Sequence, residues 1–170
     1  MISLDFAFWI FVVIFAVIGS MRGWAKEILV TFSVILALFI LQMITFFAPI
    51  KNMFQPPNGV VEFWIRTGIL LILVIIGYQT PNVVRFASGK LVREKFSDAL
   101  LGFFIGALNG FLIVGSIWWF LMDSGYPFQG ISAPQPPPDI VNYLPPMWLK
   151  DFALYFAIMI SFIFLLVVFI

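Results

Sequence analysis

Residues 98–115 read Asp98-Ala-Leu-Leu-Gly102-Phe-Phe-Ile-Gly106-Ala-Leu-Asn109-Gly110-Phe-Leu-Ile-Val-Gly115, and after Asp98 the stretch carries no charge. Gly102, Gly106 and Gly110 stand four residues apart, so on a helix they form one smooth stripe along a single face. Glycine weakens a helix in water. In lipid, by contrast, a stripe of small residues lets two helix backbones approach closely. The stretch therefore predicts a membrane protein whose fourth apolar segment packs tightly against a neighbour.

The composition agrees. Of the 170 residues 63% are hydrophobic and 10% charged, against a usual charged share of about 25%, too little polar surface to cover a soluble domain of this size. The net charge of +1 offers no concentrated basic surface for nucleic acid. No cysteine is present, which rules out a disulfide framework. The lack of histidine removes a histidine-based triad and histidine-ligated chlorin or haem. No Gly-x-x-x-x-Gly-Lys phosphate loop occurs. Catalysis is not expected, and neither a metal nor a resident cofactor is implied. The 22 phenylalanines and six tryptophans suit lipid contact and an interfacial aromatic belt, and would also accept quinone or carotenoid tails.

A spanning helix needs roughly 20 mainly apolar residues. Five segments qualify: 2–21, 28–48, 63–79, 99–122 and 152–170. The expected fold is an all-α polytopic membrane protein, with a four-helix domain over 1–122, a proline-rich loop over 123–147 and an additional C-terminal helix over 148–170. Residues 81–97 read as a short basic amphipathic helix at the interface, with Arg85, Lys90, Arg93 and Lys95 facing anionic lipid. Ser97 or Asp98 then caps the fourth helix.

Orientation follows from the loop cations. Arg22 and Lys26 in the first turn join Arg85, Lys90, Arg93 and Lys95, while the opposite side holds Lys51, Arg66 and Lys150. The richer side is expected to be cytoplasmic, which places the N-terminus outside and the C-terminus inside. Residues 123–146 contain seven prolines and no Lys or Arg, a polyproline-like spacer or an extended arm lying on a partner.

Several polar residues fall near the helices. Arg22, Glu27 and Asp98 are expected near the cytoplasmic face, pairing to tie the first turn to the fourth helix, with no acid in mid-span to serve a proton relay. Arg66 can snorkel to the headgroups. Asn109, the most deeply placed strongly polar residue, is expected to hydrogen-bond across a helix interface, with Gln42 a shallower second.

Two blocks carry a family resemblance. One is Asp5 followed by a helix and Gly19-Ser-Met-Arg22-Gly23-Trp-Ala-Lys-Glu27; the other is Asp98-Ala-Leu-Leu-Gly102 with Gly106 and Gly110. In order and spacing, over residues 1–122, they resemble the CvpA family, the colicin V production proteins of bacterial inner membranes. Members often carry a basic residue just before the last glycine of the stripe, where this chain has Asn109. The resemblance implies a role in colicin V production or export and in envelope homeostasis, exercised here through helix–helix contacts. Two other roles fit the residues. One is an accessory subunit of a larger membrane complex, energy-transducing or photosynthetic, that docks through the proline arm and last helix. The other is a small channel or transporter. The expected partners are membrane lipids and other membrane subunits or further copies of the chain.

Overall fold

A computed structural model of the chain describes residues 3–46, 59–79, 95–135 and 137–169. Its elements are α1 (Leu4–Arg22), α2 (Trp24–Phe46), α3 (Gly59–Gln79), α4 (Lys95–Asp123), a 3-10 turn (Asp139–Tyr143), the short α5 (Pro145–Trp148) and α6 (Phe152–Phe169). Among the described residues, four helices are long and apolar enough to cross a membrane: Leu4–Arg22, Trp24–Ile44, Gly59–Gln79 and Phe96–Asp123, with mean hydropathies of 2.3, 2.4, 2.2 and 2.1. The fold is that of a helical membrane protein. The 18 residues of α6 carry no charge. Most of the expected basic interfacial helix, including Arg85, Lys90 and Arg93, lies outside the described residues; Lys95 opens α4 instead.

Helix boundaries follow local chemistry. Ser3 caps α1, its Oγ accepting from the Phe6 N–H at 3.3 Å. At the other end a single residue, Gly23, separates α1 from α2. Its φ of 84° and ψ of 153° belong to a region essentially reserved for glycine. Its N–H closes α1 by donating to the Gly19 carbonyl at 3.0 Å. The two helices stay close only at this turn, because α1 then packs along α4 while α2 packs on α3 and α4. α3 begins at Gly59, four residues before the expected start, so it is a full-length span and not a short one.

The 29 residues of α4 run about 43 Å, beyond a hydrocarbon core of about 30 Å. This helix is the axis of the fold. Toward Asp123 it is enclosed by α1, α2, α3 and α5, and Leu112, Ile113, Ser116, Trp118, Phe120 and Leu121 are all buried. The main core lies between α2, α3 and α4 and is built from Val30, Val34, Leu38, Leu70, Val74, Leu112 and Ile113. A second cluster seats Phe8 and Val12 of α1 with Trp118 of α4 and Leu144.

The proline-rich segment does not stand away from the bundle. Leu144, Pro145 and Leu149 are buried, and Ile140, Val141 and Met147 pack on the Phe8–Trp118 cluster. The Trp119 indole N–H points at Met147 Sδ at 3.2 Å, and the Tyr155 hydroxyl donates to the Leu149 carbonyl at 2.9 Å. Gly115 makes this docking fit, since a Cβ there would meet Pro145 Cδ at 2.8 Å. Gly115→Val is expected to lift α5 from α4 at about 1–3 kcal/mol, the usual scale of an overpacked core. Limited proteolysis would register it as faster cleavage between residues 130 and 150, with the long helices unchanged by circular dichroism.

Candidate functional site: a polar lock on a glycine seam

The three stripe glycines face α1. A Cβ on Gly102 would run into the Gly19 carbonyl oxygen; one on Gly106 would meet the Phe15 carbonyl oxygen at 2.5 Å and Gly19 Cα at 2.9 Å; one on Gly110 would meet Phe15 Cβ at 2.8 Å and Val12 Cα at 3.0 Å. The opposing surface is mostly backbone, and the approach is reciprocal, because a Cβ on Gly19 would strike Gly102 O and come within 2.7 Å of Gly106 Cα. At Gly19, Gly102 and Gly106 no side chain lies between them, and the two helices meet at backbone distance; at Gly110 the Phe15 side chain fills the gap.

Beside the seam lies a buried polar cluster. Glu27, Thr31 and Asn109 are 0%, 7% and 0% exposed. The Asn109 amide Nδ2 donates to Glu27 Oε2 at 2.8 Å and to the Glu27 carbonyl at 2.9 Å, while its Oδ1 accepts from the Thr31 hydroxyl at 2.6 Å. Arg22 pairs with the other carboxylate oxygen, Nη1 to Oε1 at 2.5 Å. The same guanidinium lies 4.2 Å from the centre of the Tyr78 ring and donates to the Tyr78 carbonyl at 3.2 Å. The Glu27 carboxylate of α2 thereby joins α1 and α4 directly, and α3 through Arg22. Its two partners, Arg22 and Asn109, supply what a buried charge requires to be tolerated.

This placement corrects two expectations. Glu27 is fully buried, because α2 starts at Trp24, four residues before the expected start, and carries it into the bundle, where it does pair with Arg22. Asp98 does not cap its own helix and does not pair with Arg22. It lies in the first turn of α4, and its Oδ1 accepts from the Trp24 N–H at 3.3 Å. Gly23, at the N-cap position of α2, has no side chain to do this, so the carboxylate of α4 caps the helix in its place. A Cβ on Gly23 would come within 2.6 Å of Asp98 Oδ2. Gly23→Ala is expected to cost about 1–3 kcal/mol, chiefly from the backbone conformation, read as a lower midpoint in thermal unfolding in detergent.

A second polar layer sits at the Asp123 end. Arg66 bridges Glu62 and Asp123, each at 2.5 Å, and lies 5.7 Å from the Trp119 ring centre. Arg66 is thus held by two carboxylates and does not simply snorkel. Between the layers most of the described core is aliphatic, with Val34, Leu38, Leu70, Val74, Leu112 and Ile113 buried; Thr67 and Ser116 are its buried polar residues, and the Ser116 hydroxyl donates to the Leu112 carbonyl of its own helix at 2.6 Å.

Sequence reasoning singled out the stripe, the turn and Asn109. It missed Thr31, Tyr78 and the Ser33–Gly77 contact, where a Cβ on Gly77 would run into Ser33 Oγ. The signal for Thr31 was present: Glu27, Thr31, Val34 and Leu38 fall at i, i+4, i+7 and i+11, one helical face that is buried throughout.

Four apolar helices around a glycine seam define a polytopic helical membrane protein. A family model described as Colicin V production protein matches residues 4–136, and the chain belongs to this family. The match continues beyond residue 122, where the resemblance read from the sequence stops, and ends inside the proline-rich segment. No curated protein and no solved structure matches the chain.

Proposed function

We propose that this protein works without catalysis, as a rigid helical element in bacterial envelope maintenance, export or assembly, exerting its effect through helix–helix contacts. The observation that carries the reading is the locked bundle: a backbone-to-backbone seam between α1 and α4, flanked by the Glu27 carboxylate of α2, which bonds Asn109 of α4 and pairs with Arg22 of α1. The layer separating the two polar clusters is uncharged and mostly aliphatic, with the Ser116 hydroxyl bonded within its own helix. This favours the reading over a channel or transporter, which needs polar groups along its path. We place the protein in the inner membrane, with the Gly23 turn and the start of α4 facing the cytoplasm because the loop cations concentrate there.

The test is purification of the full chain from its native membrane in mild detergent, wild type beside Gly106→Leu. The proposal expects envelope-related membrane proteins, or further copies of the chain, to accompany the wild type and to be lost with the variant. Stoichiometric subunits of an energy-transducing complex would shift the role to that of an accessory subunit. Ion flux through reconstituted wild-type protein that changes in Asn109→Leu would replace the proposal with a channel.

A further inference from the structure

A cleft of about 70 Å³ opens between α2, α3, α4, α5 and α6 at the Asp123 end, lined by Leu38, Leu41, Phe120 and Leu149 among its apolar residues and by Arg66 and Trp119 near its polar edge. This is little more than two liquid-water volumes of about 30 Å³ each, enough for the first part of an alkyl chain and not for a whole amphiphile. Asp123 stands one helical turn beyond Trp119 on the same face of α4, tied to Arg66 and 41% exposed. Glu62, Arg66 and Asp123 carry formal charges of −1, +1 and −1, a net −1 at the rim. The site thus joins an apolar slot lined by Arg66 to a partly exposed carboxylate that Arg66 also holds, in a three-residue cluster that keeps a net negative charge.

We propose that this cleft binds a membrane amphiphile with a primary ammonium headgroup, an aminophospholipid such as phosphatidylethanolamine. The alkyl chain enters between Leu38, Leu41 and Leu149, and the ammonium donates to Asp123. Charge complementarity selects this occupant. An anionic headgroup meets the net negative rim, and a quaternary ammonium has no N–H to donate to the carboxylate. The site extends beyond the proposed assembly role and does not depend on it, since it lies at the opposite end of the bundle from the Glu27 lock.

The probe is fluorescence quenching of the full-length protein in phosphatidylcholine vesicles. These are doped at equal mole fraction with lipids brominated on one acyl chain and bearing ethanolamine, choline or glycerol headgroups. The signal assigned to the cleft is the difference between wild type and Trp119→Phe. The expected result is that brominated phosphatidylethanolamine is preferred over both other lipids by roughly two- to fivefold, the range of a partly exposed ion pair. Asp123→Asn should abolish the preference and Asp123→Glu should retain it. Equal quenching by all three headgroups in the wild type would mean annular lipid only and would overturn the proposal. So would a preference that survives in Asp123→Asn. If Asp123→Asn fails to insert, the wild-type headgroup comparison still decides.

Discussion

Gly106→Leu is expected to separate α1 from α4 and to destabilise the bundle by about 4 kcal/mol or more, at the far end of what single substitutions do. The nearest atoms to a new Cβ are the Phe15 carbonyl oxygen at 2.5 Å, Gly19 Cα at 2.9 Å and Gly19 N at 3.2 Å, all backbone. No rotamer change can relieve such a clash, so the helices themselves must move apart. That motion also opens the Gly19–Gly102 approach and the Phe8–Trp118 ring contact, whose centroids lie 5.7 Å apart. Gly106→Ala should cost less but remain clearly destabilising. Gly68→Ala is the matched control, because nothing lies within 4 Å of the Cβ it would add; it should be neutral or gain up to about 1 kcal/mol from helix propensity. Reversible unfolding in mixed micelles or bicelles gives the measurement. A Gly106→Leu protein as stable as wild type would refute the seam.

Asn109→Leu is expected to cost about 3–5 kcal/mol, the range for removing one partner of a buried charge. The change deletes the two amide donations to Glu27 and the acceptor for Thr31, and leaves the carboxylate supported chiefly by Arg22. Replacing both residues with leucine should cost less than the two single changes summed, with a coupling of about 0.5–3 kcal/mol. Strict additivity in that double-mutant cycle would show that Glu27 and Asn109 do not act as a pair. Asn109→Lys tests the same geometry from the other direction. Its ammonium would face the Glu27 carboxylate, so it should be tolerated better than leucine although lysine is the more costly residue in lipid. The CvpA-like pattern, with a basic residue before the last glycine of the stripe, is understandable on this basis.

How much was legible in advance varied from one residue to the next. The helices were readable because lipid imposes a minimum apolar length, and charged residues mark the ends. The glycine stripe was readable because three vacant positions in phase have few uses other than close approach. Gly115 falls five residues after Gly110 and so leaves the stripe. Its reason lies in Pro145, 30 residues further along the chain. Glu27 was misplaced because a carboxylate beside Arg22 and Lys26 looks like part of a solvated turn; only the one-residue junction at Gly23 moves it into the span. Asp98 was assigned to its own helix because capping is usually local, and with the second helix expected from residue 28 the linear order does not show that Gly23 is the N-cap position and needs a distant carboxylate.

By itself, the sequence determined the class of this protein, its apolar helices and the face along which α4 would be approached. These depend on local composition and on the 3.6-residue period, which a chain carries wherever it folds. The tertiary structure decided what approaches that face, which carboxylate is buried and what holds it, and that the proline-rich segment folds back onto α4. Each of those outcomes depends on groups about 30 to 100 residues apart meeting within hydrogen-bond or van der Waals range. Such meetings are set by how the helices pack around α4 and not by any one segment's pattern.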